Sequence, residues 1–255
     1  MSSPVIYEFP LNERIRAFLR IERLFETIDF FMRGDSEFES RLIAGTLIEL
    51  LGFLGRVDLK SECIKELDRY TGSLEKLMNN PDVEHDALAR LLGEIAQTSE
   101  AMYSNQNKIG LCMTENELLK AVTQKGTALS ATCAFDLPYY HYWLRKDKIL
   151  RRQDLLTWIS SLDTLRKAVS LSLHLIRNSA TITQEQAGNG FFQKTLDAAL
   201  PFQMLQVELS PQLPYFAEFS GGRHRFSIRF MNASIHERPA QTSENIAFTL
   251  NCCAF

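Results

Sequence analysis

The chain has 255 residues, 45% apolar and 23% charged, with 28 basic against 31 acidic side chains and a formal charge of −3. That length can bury the core of one large domain or two small ones. The acidic balance excludes wholesale attraction to nucleic acid or anionic membrane, so any basic function must come from local clustering.

No window of 18 apolar residues is present, so no spanning helix is expected. The start, Met1-Ser2-Ser3-Pro4, lacks the charged region and apolar run of a signal peptide. The five cysteines (Cys63, Cys112, Cys133, Cys252, Cys253) are irregularly spaced, with no C-x-x-C. They predict free thiols in a reducing cytoplasm, not a disulfide frame or a zinc site.

Val5 to Phe9 reads as a short strand ended by Pro10, and Asn12 as the N-cap of a helix to about Met32. Phe18, Ile21, Leu24, Phe25, Ile28 and Met32 share one face of that helix. A second helix is predicted from Glu37 to Leu54, with Gly55 as a left-handed stop. Asp58 is expected to cap a third, reaching about Met78, and a fourth covers roughly 84–104 after the Pro81-Asp82 break.

Thr114 and Glu117 have capping-box spacing before a short fifth helix. Asp136, with Pro138 in the first turn, opens the helix carrying Tyr139, Tyr140, His141, Tyr142 and Trp143. A long helix is predicted from about Arg152 to Asn178. The stretch 180–200 is polar, and from 201 onward apolar alternation predicts strands.

The fold class is therefore α+β: a mainly helical N-terminal domain with a C-terminal antiparallel β domain that also takes in the N-terminal strand. A lone strand before so many helices has no other partner. The division is placed at 12–180 for the helical domain, with 1–11 and 181–255 forming the β domain.

The segment Arg225-Phe226-Ser227-Ile228-Arg229-Phe230 carries the clearest chemistry. Phe226, Ile228 and Phe230 alternate with Arg225, Ser227 and Arg229, so a strand here sends the apolar set into a core. It also holds two guanidinium groups outward, roughly 13 Å apart. Arg16, Arg20 and Arg23 make a stripe at i, i+4, i+7 on the first helix. Arg145, Lys146, Lys148, Arg151 and Arg152 follow the aromatic run 139–143. That third cluster admits a nucleic-acid reading through stacking and phosphate contacts, or a polar interhelix turn.

Phosphate-loop, dinucleotide and nucleophile-elbow motifs are absent, the five histidines never fall at metal spacing, and His174 reads as structural. No catalytic residue, metal or cofactor is expected. Several arginine sites on an acidic chain predict an acidic partner recognised by bidentate pairing.

These segments resemble the ZapD family of bacterial division proteins. The likeness is carried by Phe9-Pro10-Leu11-Asn12-Glu13, Leu19-Arg20-Ile21-Glu22, Lys65-Glu66-Leu67-Asp68-Arg69 and Phe135-Asp136-Leu137-Pro138. It continues through Trp158-Ile159, Leu175-Ile176-Arg177, Asn189-Gly190-Phe191 and the 225–231 strand. The resemblance implies a cytoplasmic homodimer, joined through its helical domain, at the midcell division site. It implies no catalysis; the net charge and the lack of an apolar span add the expectations of no nucleic acid and no membrane insertion. Its implied partner is the acidic C-terminal tail of FtsZ, whose filaments it would crosslink and bundle.

Basic binding positions of the family are matched at Arg20, Arg56, His141, Arg225 and Arg229. One such position is reversed here to Glu117. Arg16 joins the candidates from its spacing to Arg20, and Tyr140 as an aromatic rest for apolar tail residues in a groove near Arg20 and His141.

Overall fold

The computed structural model describes residues 3–55, 58–81, 83–104, 109–125, 133–234 and 236–255. Strand β1 (Val5–Pro10) precedes helices α1 (Glu13–Phe31), α2 (Glu37–Leu54), α3 (Leu59–Glu75) and α4 (His85–Ser104). There follow α5 (Leu111–Thr114), α6 (Glu117–Lys125), α7 (Pro138–Leu144), α8 (Lys148–Ser160) and α9 (Asp163–Asn178). Strands β2 (Ala180–Ala187), β3 (Phe191–Thr195), β4 (Phe202–Leu209), β5 (Tyr215–Gly221), β6 (Arg225–Asn232) and β7 (Ile246–Ala254) complete the order. The α+β reading holds. Two compact units are formed, Met1–Phe18 with Leu173–Phe255, and Leu19–Ser172, so the division falls inside α1 and α9.

In the first unit, sheet A runs β1-β4-β7-β2 and sheet B runs β3-β6-β5, all neighbours antiparallel. The N-terminal strand thus joins the C-terminal sheet, Phe9 opposite Leu205. Inward residues of both sheets form one core, among them Leu205, Val207, Phe226, Ile228, Phe230, Phe248 and Leu250. Phe9 stacks on Phe219 with ring centroids 5.1 Å apart, and Phe230 lies 5.0 Å from Phe248. Opposite the core, Glu8 accepts two hydrogen bonds from Arg177, at 2.8 and 2.9 Å, and a third from Gln206. The Glu8 carboxylate is thereby satisfied by protein donors.

Helix starts follow capping chemistry. Asn12 Oδ1 accepts from the Ile15 N–H at 2.9 Å. Ser36 and Glu39 close a reciprocal capping box on α2, and Asp58 accepts from the Ser61 N–H.

Several sequence expectations need correction. Gly55 is right-handed (φ −75°), its N–H closing an ordinary helical bond to Leu51 O. Helix α3 ends at Glu75 and tightens into a 3-10 turn, Lys76–Asn79. Asn116, not Thr114, caps α6; Thr114 is still the last residue of α5, its hydroxyl donating to Leu111 O. Asp136 accepts from the Cys133 N–H within its own turn and Leu137 occupies the cap position of α7.

The long helix is two helices, and α8 starts at Lys148 under an Asp147 cap. The Ser160 and Ser161 hydroxyls take the carbonyls of Thr157 and Trp158, competing with the backbone ladder where the chain turns. The polar stretch 180–200 contains β2 and β3. Both sit at sheet edges, so neither needs an apolar alternation of its own.

Candidate cation sites on the sheet and the helices

On sheet B the predicted display is realised. Phe226, Ile228 and Phe230 are at most 1% exposed, while Arg225 and Arg229 are exposed on the opposite face. Neither guanidinium makes a hydrogen bond or ion pair among the described residues. The flanking Arg223 and His224 are likewise exposed. The one carboxylate in register is Glu218, opposite Arg229 on β5. Backbone pairing to β3 and β5 on both sides fixes the strand. The two guanidinium groups therefore keep their rotamer freedom while their anchor points stay rigid.

On α1, Arg16 is half-buried and pairs with Glu13 at 3.1 Å. Arg20, one turn on, is exposed, and its guanidinium lies 5.7 Å from the centre of the Phe53 ring at the end of α2. That cation–π contact leaves all its N–H donors available to a partner. Arg56 lies outside the described residues.

Tyr140 and His141 sit on α7, whose inner face buries Leu137, Tyr140, Trp143 and Leu144. Tyr140 is 3% exposed, so its ring cannot serve as a rest for a peptide. The correction follows from packing: Tyr140 stacks on Trp143 and carries the Arg41 guanidinium at 5.7 Å on its ring. Burial pushes its phenol up to about 12. The aromatic surface of α7 is instead supplied by Tyr139 and Tyr142, 55% and 63% exposed. His141 is half-buried between them.

Arg20 contacts α2 at Phe53 and Tyr140 contacts it at Arg41, twelve positions or roughly 18 Å apart along the helix. Arg20 and α7 thus pack near opposite ends of α2. The reversed position, Glu117, pairs with Lys120 at 2.7 Å and is locally neutralised. Lys120 also lines, with Leu51, Gly52, Met113 and Leu119, a cavity of about 320 Å³ between α2 and α6.

The cluster 145–152 is absorbed by the fold. Arg151 is 6% exposed and donates to Ser40 Oγ, Leu144 O, Lys146 O and Asp35 O. Arg152 donates to Met32 O at 2.7 Å. Lys148 pairs with Asp35 at 2.6 Å, Arg145 with Glu37 at 3.1 Å and Lys146 with Asp154 at 3.8 Å. The Lys148 ammonium, hydrogen-bonded to Asp35, holds that carboxyl below its usual range, and Lys148 is raised in turn. These cations tie the α1–α2 turn to α8, and the nucleic-acid reading loses the track it depends on.

The arginines Arg20, Arg225 and Arg229 thus face outward from fixed elements. A family model for the cell division protein ZapD matches residues 19–229. The chain belongs to the ZapD family of cell division proteins. The ZapD of Methylococcus capsulatus is 43% identical over 253 residues, covering 99% of each chain. That of Aromatoleum aromaticum is 37% identical over 254 residues, again 99% of each. That of Azoarcus sp. BH72 is 35% identical over 249 residues, covering 98% of this chain and 99% of the relative. Among the described residues, no helix is long and apolar enough to cross a membrane.

Proposed function

We propose that this chain is a non-enzymatic division factor that binds the acidic C-terminal tail of FtsZ. As a homodimer, joined through its helical domain, it crosslinks FtsZ filaments into bundles and steadies the Z ring at midcell in the cytoplasm. The observation that carries the reading is the Arg225–Arg229 pair: two guanidinium groups on one rigid sheet face, without an internal carboxylate partner. Arg20 adds an exposed cation on the helical unit, and family membership supplies the division context.

Physically, an acidic tail meets exposed charges on a fixed backbone that need no internal pair to be broken. Each exposed ion pair contributes about 0.2–1 kcal/mol, so a single tail binds weakly, on the order of micromolar. Two chains per dimer facing many tails per filament convert that into tight crosslinking through effective concentration. Neutralising the filaments' acidic surfaces also lowers their mutual repulsion.

The test is a titration of synthetic FtsZ tail peptide into the full chain. Arg20→Glu and Arg229→Glu each weaken binding, and the loss shrinks as salt is raised. Unchanged affinity in both variants rejects these sites.

A further inference from the structure

We infer that Phe191 is the apolar anchor of the sheet B cation face. An acidic peptide crossing Arg225 and Arg229 seats an aliphatic or aromatic side chain on the Phe191 ring. This rests on the tail-binding reading and names a contact that charge alone does not reveal.

The first ground is register. Phe191 lies directly opposite Arg229, and Phe192 opposite Ile228. Directly opposed residues of an antiparallel pair share a face. Phe192 points into the core, its ring 5.2 Å from Phe248. Phe191 therefore points to the arginine side, where it is 39% exposed. One row across the sheet reads Phe191, Arg229, Glu218; the next reads Gln193, Ser227, Ser220; Arg225 lies opposite Thr195. An aromatic ring thus flanks a line of unpaired cations.

The second ground is how firmly that ring's backbone is held. Asn189 and Gly190 are both left-handed, φ 49° and 65°. A Cβ on Gly190 would lie 2.5 Å from Thr242 O, so only glycine fits. The Gly190 N–H donates to Glu244 O at 2.8 Å, and Gly190 O accepts from the Phe230 N–H at 2.8 Å. The Phe191 N–H donates to Gly188 O at 3.0 Å. The Asn189 N–H donates to Asn245 Oδ1 and its carbonyl accepts from Gln241 Nε2. A non-glycine residue at positive φ is costly and persists only where its surroundings over-determine it. The consequence is an exposed aromatic on a fixed backbone, a residue type enriched at interfaces.

The chemistry of the face selects the occupant. Arg223, Arg225 and Arg229 make no ion pair among the described residues, against one carboxylate, Glu218, in the rows. A short peptide mixing carboxylates with apolar side chains satisfies the arginines and Phe191 together. A nucleic-acid strand needs a continuous cationic track; here Glu218 lies directly beside Arg229, and the cations of this face run no further across the sheet than β6.

The experiment is a fluorescence-anisotropy titration of labelled FtsZ tail peptide against the full chain and four variants, Phe191→Ala, Phe191→Leu, Phe191→Thr and Arg229→Ala, across a salt series. A second peptide has its apolar side chains replaced by serine. Phe191→Ala weakens the natural peptide roughly fivefold to tenfold at every salt concentration, because apolar contact is not screened. Phe191→Leu regains most of that loss, and Arg229→Ala flattens the salt dependence. The serine peptide binds the parent chain and Phe191→Ala alike.

If Phe191→Ala binds like the parent while Arg229→Ala does not, the anchor falls and the tail-binding reading stands. If the parent chain ignores the peptide, both fall. Displacement of the peptide by an oligonucleotide, with the same Phe191 dependence, overturns the choice of occupant. Phe191→Thr, polar and strand-favouring, loses the same factor as Phe191→Ala and keeps the test decisive should the alanine variant unfold; parent-like binding by Phe191→Thr overturns the anchor.

Discussion

Replacing Arg151 separates a structural role of the 145–152 cluster from a binding role. In Arg151→Met the stem volume is kept and the guanidinium is lost. Four hydrogen bonds go with it, to Ser40 Oγ, Leu144 O, Lys146 O and Asp35 O, at a residue 6% exposed. Hydrogen bonds from a charged donor contribute about 1.5–3 kcal/mol each. The four share one donor group and two acceptors are only part-buried, so they do not add fully. A net loss of about 3–5 kcal/mol follows, the range for breaking a buried charged network. Denaturant unfolding followed by circular dichroism at 222 nm measures it. Arg152→Met, which loses one exposed bond to Met32 O, is the control and costs under about 1 kcal/mol. Equal midpoints for Arg151→Met and the parent chain refute the network argument.

Two further outcomes follow from local chemistry. Asp58→Ala removes the cap of α3 and costs about 1 kcal/mol at neutral pH. The Ser61 hydroxyl and N–H hold the Asp58 carboxyl below its usual 3.8. A depressed carboxyl contributes stability that is complete above 3.8 and is lost as pH falls below it, so the gap between variant and parent melting temperatures closes on acidification. A gap independent of pH contradicts the cap.

Thiol alkylation at pH 8 is expected to be fast at exposed Cys112 and Cys133 and slow at buried Cys63, Cys252 and Cys253. Burial pushes Cys253 up to about 12. Peptide mapping that finds Cys253 labelled early argues against that packing.

The β6 display was readable because a strand has period two and one of its faces is buried, so Phe226, Ile228 and Phe230 announce themselves. Capping side chains at Asn12 and Asp58 were legible for the same reason: the information is local. What failed depends on distant partners. Strand β2 reads Thr-Ile-Thr-Gln-Glu-Gln with no apolar face, and becomes a strand through its ladder with β7, some 60 residues on. Tyr139 to Trp143 is aromatic around nearly the whole helix, so only the core decides that Tyr140 is inside and Tyr139 outside. The 145–152 cations looked free because Asp35 and Glu37 lie more than a hundred residues earlier. Phe191 gave no charge signal at all. Its place beside Arg229 emerges from strand pairing.

The most direct test of the account is cosedimentation of the purified full chain with polymerised FtsZ, tail-bearing or tail-deleted, at low and high salt. Tail-dependent crosslinking predicts that the chain pellets with tail-bearing polymer at low salt, bundling it, and stays in solution when the tail is removed. Equal pelleting with both polymers, or with neither, contradicts it.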